Sequence, residues 1–414
     1  MGVGLIVFLI NISWAAEMDI LLNKLVEKGI FTKEEAQSVK QEVKQEAAKE
    51  IAVNQPTKSI DLPEWVGKTK LKGDMRVRYQ YEKRQANAEA RTRARLRYRL
   101  GIENEIAKDI KVGAGLATGG ADPRSTNQTF QDSFQHPDIR LDYAFGEYVL
   151  NQSVRMVVGK FKFSDYLWTP DDFLWDTDIN PEGGSIHFEH KLISSVTGYV
   201  NSGVWVIDDN GTTDKSDPYL TYAQSGFKWN NDKIDVNLAG IFYGFNGIKG
   251  TGPDWCSATN TGLTAINSST GACTGTLVYD YDSVGASLEV GMNKPIHLPI
   301  ERIAFFGDYI QNIDPIQENR GWAAGLKFGN KKIVEKGQWQ GKYQYSILGQ
   351  DAFVDFTPDS DRLGGATDIT GHEIELQYAI NKNVILALDY YHDQRYRAAK
   401  NSNDLVQGDV NFKF

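Results

Sequence analysis

The chain has 414 residues, 39 of them glycine, with 11% aromatic residues and a formal net charge of -9. Beyond the extreme N-terminus it holds no run of eighteen apolar residues, which excludes a helical membrane protein, and the acidic balance excludes a nucleic-acid partner despite a local arginine cluster. Gly, Tyr, Phe and Trp are spread evenly after residue 65, as in one large barrel and unlike several soluble domains.

Residues Val3–Trp14 form a short apolar stretch closing on Ser13-Trp14-Ala15-Ala16, which reads as a secretory signal over residues 1–16, cut after Ala15 or Ala16. The basic start usual in such signals is missing, so a plain membrane anchor is the other reading. Residues 17–54 read as helical and coiled-coil-like. Leu21, Leu22, Leu25 and Val26 share one face, Gly29 breaks the pattern, and Thr32 with Glu35 forms a capping box ahead of the stripe Ala36, Val39, Val43, Ala47 and Ile51. A helix so short and Ala-rich is marginal alone, which argues for packing against copies of itself; a solvated spacer is the alternative. A linker is expected over residues 55–67, and the stretch Asn54–Pro63 that leads into it is polar with two prolines.

From Lys68 to Phe414 the period changes to two. Lys70, Lys72, Asp74, Arg76, Arg78 and Gln80 alternate with Leu71, Gly73, Met75, Val77, Tyr79 and Tyr81. In the next strand Arg91, Arg93, Arg95, Arg97 and Arg99 share one face, with Ala94, Leu96, Tyr98 and Leu100 on the other. A soluble sandwich would bury the apolar face and show the arginines to bulk water, whereas a membrane barrel turns the apolar face to lipid and the arginines into a wet lumen. Further strands are expected near Asp109–Thr118, Asp138–Leu150, Gln152–Phe163, Gly184–Lys191, Ser194–Val206, Pro218–Asn230, Lys233–Gly247, Leu277–Asn293, Ile300–Asn312, Asn319–Asn330, Gly337–Asp351, Ile369–Ile380, Val384–Arg395 and Leu405–Phe414. The total is about 16, an even number, and favours an all-β transmembrane antiparallel barrel.

Connections alternate in length. Those near Ala107, Asn151, Ile193, Asn231 and Asn381 are tight, whereas Gly119–Pro137, Ser164–Gly183, Ile207–Asp217, Ile248–Thr276 and Ala352–Asp368 are long; Asn293–Pro299 is the exception. Short turns on one side and long loops on the other match the periplasmic and extracellular ends of an outer-membrane barrel, with the N-terminal helices on the short-turn side. Cys256 and Cys273 lie within the longest loop, and in an oxidising compartment they read as one disulfide; in a cytosolic protein they would be two unrelated thiols. The last strand sets Val406, Val410, Phe412 and Phe414 on one face and ends on Phe414, which looks like the signal read by barrel-assembly machinery.

These stretches resemble the bacterial putative-porin family: Leu21–Ala36, the run RTRARLRYRLGIE, GGADPRSTNQTF over Gly119–Phe130, and LWDTDINPEGG over Leu174–Gly184. The likeness covers nearly the whole mature chain and implies an exported barrel preceded by a helical segment. More distantly the chain is similar to anion-selective porins with an arginine ladder and an N-terminal coiled coil, but their ligand does not transfer. The likeness also implies that the loop carrying Asp165, Asp171, Asp172, Asp176, Asp178 and Glu182 folds into the lumen, where its acids face Arg76, Arg78, Arg91, Arg93, Arg95, Arg97 and Arg99 across a constriction. The alternative is a surface loop of solvated acids.

Other motifs fail on geometry. His187 and His190 are three apart on an expected strand, on opposite sides, and Gly113 to Gly120 lacks the spacing and the helix of a dinucleotide site. No haem motif or Ser-His-Asp order stands out, so no catalytic site and no cofactor are expected. The leading expectation is a porin for passive diffusion of small hydrophilic solutes or ions with modest anion preference, a homotrimer in outer-membrane lipid. The runner-up is a sheath around a periplasmic multihaem cytochrome partner; an outer-membrane enzyme or adhesin is third.

Overall fold

The computed structural model describes residues 22, 24–42, 64–87, 89–211, 217–267, 272–295, 298–315, 317–398 and 401–414. The chain divides into two units, Met1–Pro63 and Glu64–Phe414. In the first, Gly29 takes a left-handed φ of +69° after a helical turn, and a helix over residues 33–42 follows. The Thr32 amide donates to Glu35 Oε2 at 2.8 Å and the Glu35 amide donates to Thr32 Oγ1 at 3.2 Å, so the capping box satisfies two orphan donors reciprocally. The expected signal over residues 1–16, the stripe at Val43, Ala47 and Ile51, and the linker as far as Pro63 lie outside the described residues. Glu64–Gly67, expected as the end of a linker, belong to the second unit and form a helical turn, and Asn104 Nδ2 donates to the Trp65 carbonyl at 2.6 Å.

The second unit is a closed antiparallel barrel of sixteen strands. These are β1 (Lys70–Arg84), β2 (Arg91–Ala107), β3 (Ile110–Thr118), β4 (Ile139–Asn151), β5 (Val154–Lys160), β6 (Glu182–Ile193), β7 (Val196–Val206), β8 (Tyr219–Asn230), β9 (Ile234–Asn246), β10 (Ser283–Asn293), β11 (Arg302–Asn312), β12 (Arg320–Gly329), β13 (Trp339–Leu348), β14 (Ile369–Asn381), β15 (Val384–Arg395) and β16 (Ser402–Lys413). Each strand pairs with its chain neighbours, and β1 pairs with β16 from Asp74 opposite Lys413 to Arg84 opposite Asn403. Phe414 lies just beyond β16 and exchanges backbone hydrogen bonds with Gly73, at 2.8 and 3.0 Å, while Phe412 faces Met75. No edge is left where β1 meets β16.

Burial decides between sandwich and barrel. On β1 the polar residues Arg78, Gln80 and Glu82 are only 5%, 2% and 9% exposed, whereas Leu71 and Tyr79 are 67% and 61% exposed. A soluble protein would show the reverse; here the outside is apolar and the inside polar. No helix among the described residues is long and apolar enough to cross a membrane.

The expected strands match closely, and the departures share a cause. Leu277–Asp282 does not extend β10, because Leu277 pairs its backbone with Gly250 and Thr251 and the Tyr281 hydroxyl donates to Asp351 at 2.7 Å. Phe161 and Phe163 leave β5 because both rings are buried in an aromatic cluster. That cluster is the barrel's core: Phe163, Tyr166 and Trp175 of loop 161–181 and Phe353 of loop 349–368 pack against the wall residues Trp205, Tyr222 and Tyr243. Within loop 247–282, Cys256 and Cys273 are joined as a disulfide with Cα atoms 5.8 Å apart, within the ordinary range.

Candidate functional site

Strand register sets the site. On the inward face of β1 and β2, Asp74 lies opposite Arg99, Arg76 opposite Arg97, Arg78 opposite Arg95, Gln80 opposite Arg93 and Glu82 opposite Arg91. Two arginine pairs therefore stand directly across the ladder, a placement that repels unless carboxylates intervene. They do. Arg78 donates to both oxygens of Asp409 at 2.8 Å each and to Asp361 at 3.1 Å. Arg97 and Arg99 share Asp74, at 2.9 Å each, and Arg99 reaches Asp178 at 3.2 Å. Arg76 donates to Asn127 at 2.8 Å and has Asp409 3.6 Å away. Arg93 shares Glu82 with Arg84, at 3.3 and 2.7 Å.

Arg95 differs from its neighbours. Its guanidinium meets only neutral acceptors, Gln80 at 3.5 Å and Ser125 and the Asn127 carbonyl at 3.4 Å. Among the buried arginines of β1 and β2 it is the one without a carboxylate at ion-pair distance.

Loop 161–181 crosses the lumen from wall to wall. The Trp168 amide donates to Gln224 of β8 at 3.0 Å, the Pro170 carbonyl accepts from Lys327 of β12, Asp172 lies 3.7 Å from Lys342 of β13, and Asp178 reaches Arg99 of β2. Loop 349–368 backs it: Asp176 Oδ2 accepts from the Ser360 amide at 2.9 Å, and the Asp176 amide donates to the Thr357 carbonyl at 2.8 Å. Arg124, 3% exposed, ties a third loop in by donating to Ser257 at 3.0 Å and to the carbonyls of Asp355 and Gly365 at 3.2 Å each. A polar cavity of about 340 Å³ stays open along β1, β2 and β14–β16, with Arg76, Arg78, Arg97 and Arg99 contributed by the ladder and Asp172, Asp176 and Asp359 by the inward loops.

The expected site residues divide accordingly. Arg76, Arg78, Arg97, Arg99, Asp172, Asp176 and Asp178 line the cavity. Asp171 is not among the lining residues, and Arg93 and Arg95 stand higher on the ladder. Arg91 does not line the cavity: it is exposed at the first position of β2, at the long-loop rim. Asp165 is exposed in a short turn whose flanking Phe163 and Tyr166 are buried; its amide donates to the Lys162 carbonyl at 3.3 Å and its carbonyl accepts from Arg155 at 2.6 Å. Glu182 is a strand residue, not a loop residue: it opens β6 opposite Lys160, which donates to it at 2.9 Å. Asp74, Asp361 and Asp409 are partners of the ladder that the sequence reading does not name as such, and Asp359 is a further acid of the cavity lining. Asp74 and Asp409 could have been found from the alternation that puts them on the polar faces of β1 and β16.

Burial and like charge sort the loop acids. Burial, reinforced by Asp172, pushes Asp171 up to about 6. Burial and the Asp178 charge raise Asp176 well above the ordinary carboxylate range. Burial opposes charge on Asp361 too, but Arg78 overrides it and holds this acid below that range. The acid wall thus carries less charge at neutral pH than its residue count suggests.

A family model described as Putative porin matches residues 31–90, 81–274 and 276–414. Among solved structures the chain is similar to Pseudomonas putida OprB in its high-pH structure, at 9% identity and a TM-score of 0.53, over 84% of this chain and 94% of that one. It is also similar to a triple mutant of Rhodopseudomonas blastica porin, at 14% identity and a TM-score of 0.44, over 84% of this chain and 100% of that one. No curated protein matches at a significant level.

Proposed function

The chain belongs to the putative porin family, and from that membership we propose that the cavity between arginine ladder and loop acids is the conducting path of a water-filled channel for small hydrophilic solutes and ions, with a modest preference for anions. As a porin-family β-barrel it is an outer-membrane protein. The observation that carries the proposal is the opposition of charge across the cavity, with guanidinium groups fixed on β1 and β2 and carboxyl groups fixed on two inward loops. Such an arrangement puts a transverse field on a passing solute and raises the local concentration of anions beside the ladder. The preference is modest because Asp74, Asp178, Asp361 and Asp409 already neutralise most of the ladder, leaving Arg95, above the cavity, without a carboxylate partner.

The same reading sets the N-terminal segment and short turns in the periplasm and the long loops outside. It takes residues 1–16 as a cleaved signal, 17–54 as a helical segment and 55–67 as a linker. Copies assemble as a homotrimer, inserted by barrel-assembly machinery that reads Phe412 and Phe414. The loops packed inside the barrel through Trp175 and Phe353 favour this reading over a sheath around a cytochrome. Recording of purified protein in planar bilayers should give discrete conductance steps; a barrel that inserts and passes no current refutes the channel.

A pH dependence follows from Asp171. Its carboxyl is ionised above about 6 and neutral below, so lowering the pH from about 7 to about 5 removes negative charge from the acid wall. Anion preference should rise over that interval and fall again on return. Asp171→Asn should flatten this step in the zero-current potential, and an unchanged step in the variant would assign it to another group.

A further inference from the structure

The outer face of the barrel carries a row of side chains that lipid contact does not explain. From β13 to β1, Tyr345 lies opposite His372, His372 opposite His392, His392 opposite Asp404, and Asp404 opposite Lys83. The row beneath is aromatic and aliphatic: Tyr343, Ile374, Tyr390, Val406 and Tyr81. The row above, on the long-loop side, is Thr370, Gln394 and Ser402. The two histidines therefore stand where the apolar band meets water, just past its aromatic edge.

We propose that His372 and His392 form a two-imidazole site for a divalent transition-metal cation of the Zn²⁺, Cu²⁺ or Ni²⁺ class, with water in the remaining positions. Directly opposed residues on one face of an antiparallel pair have Cβ atoms about 4.5–5.5 Å apart, a span that two imidazoles close on one ion at metal–nitrogen distances of about 2.0–2.1 Å. Imidazole selects these metals over Mg²⁺ and Ca²⁺, which prefer oxygen.

The hydrogen bonds behind the rings favour the tautomer a metal needs. His392 Nδ1 donates to Asp404 Oδ1 at 2.8 Å, and the same oxygen accepts from the Tyr390 hydroxyl at 2.7 Å. An ionised carboxylate only accepts, so the His392 proton sits on Nδ1 and Nε2 keeps its lone pair. A carboxylate behind an imidazole in this way is the usual support of a metal-ligating histidine. His372 Nδ1 lies 2.9 Å from the Tyr343 hydroxyl, which can accept a proton bond and so permits the same tautomer. Both rings are reachable, His392 with 45% of its side chain exposed.

Among the described residues no group of three or more His, Cys, Asp and Glu is placed to hold a metal, so this is an open site of two protein ligands. His187 and His190 lack the arrangement: His187 faces inward to Asn201, whereas His190 is on the outer face beside Phe188, so the two lie on opposite sides of the wall.

The proposal is independent of conduction and is tested on full-length protein in detergent. Zn²⁺ is titrated by calorimetry into wild type, His372→Ala, His392→Ala, Asp404→Asn and the control His190→Ala, and the Cu²⁺ complex of wild type is read by electron paramagnetic resonance. The expected result is saturable binding of one ion per chain, lost in either alanine variant of the pair and kept in the control. Asp404→Asn should weaken it about 10–100-fold. The copper spectrum should show two coordinated nitrogens. Wild-type binding no tighter than that of the His372→Ala variant, loss in the control, or a copper spectrum with a single nitrogen overturns the site. Should a variant fail to fold, the wild-type stoichiometry and the copper spectrum decide.

Discussion

Asp409→Ala should destabilise the barrel by about 3–5 kcal/mol, the cost of leaving a buried guanidinium without its partner. Arg78 is 5% exposed and bound to both oxygens of Asp409, and Arg76 has the same carboxylate as its nearest acid at 3.6 Å. Removing it leaves Arg78 with Asp361 alone and sets Arg76 against Arg78 and Arg97, with Asp74, Asp178 and Asp361 as the remaining counter-charges. The bond also spans β1 and β16, so the loss falls where the barrel closes. Asp409→Asn keeps the shape and one acceptor, and should cost less. Urea unfolding in detergent micelles, followed by the loss of heat-modifiable mobility, measures both; a shift within about 0.5 kcal/mol for the alanine variant, as at an ordinary surface site, would mean that water already satisfies the ladder.

Trp175→Ala acts on the other half of the lumen. Its ring packs edge-on against Trp205 with centroids 5.3 Å apart and against Phe353 at 6.0 Å, and its Nε1 donates to the Tyr243 hydroxyl at 3.1 Å. Truncating a buried Trp costs about 3–5 kcal/mol. Here the loss is carried by a loop, so it should appear chiefly as a loop released from the wall. Single-channel conductance should rise and become noisier, while the strands stay paired. Conductance and stability both equal to wild type would show that the cluster does not hold loop 161–181 across the lumen.

Strand faces were legible because each β residue declares its side locally: Arg76, Arg78 and Arg91 to Arg99 separate from Leu71, Tyr79 and Leu96 by alternation alone, and Thr32 with Glu35 needs only a spacing of three. What lay beyond reach was the destination of loops. Phe353 and Asp361 stand in a long polar-looking stretch, and what draws them inward is Tyr243 for the first and Arg78 for the second, residues far away in sequence that a linear pattern cannot join. The same limit explains Asp409, 331 positions from the arginine it holds. Asp165 and Glu182 show the converse error: membership of an acid-rich loop was taken for direction, whereas neighbouring rings and strand register decided which carboxylates turn to the ladder.

The central claim is that ions pass between the ladder and the loop acids. The most direct test is the zero-current potential across a planar bilayer in a KCl gradient centred near 0.1 M, where the screening length is about 10 Å. Arg95→Ser removes a charge that has no carboxylate partner, and Asp172→Asn removes one whose side chain lines the cavity, so neither leaves a buried ion pair half broken on the ladder. The account predicts a modest anion preference in wild type, a shift toward cations in Arg95→Ser, a shift toward anions in Asp172→Asn, and both shifts shrinking near 1 M, where screening falls to about 3 Å. Conducting channels whose reversal potential is the same in wild type and both variants at low salt would contradict it.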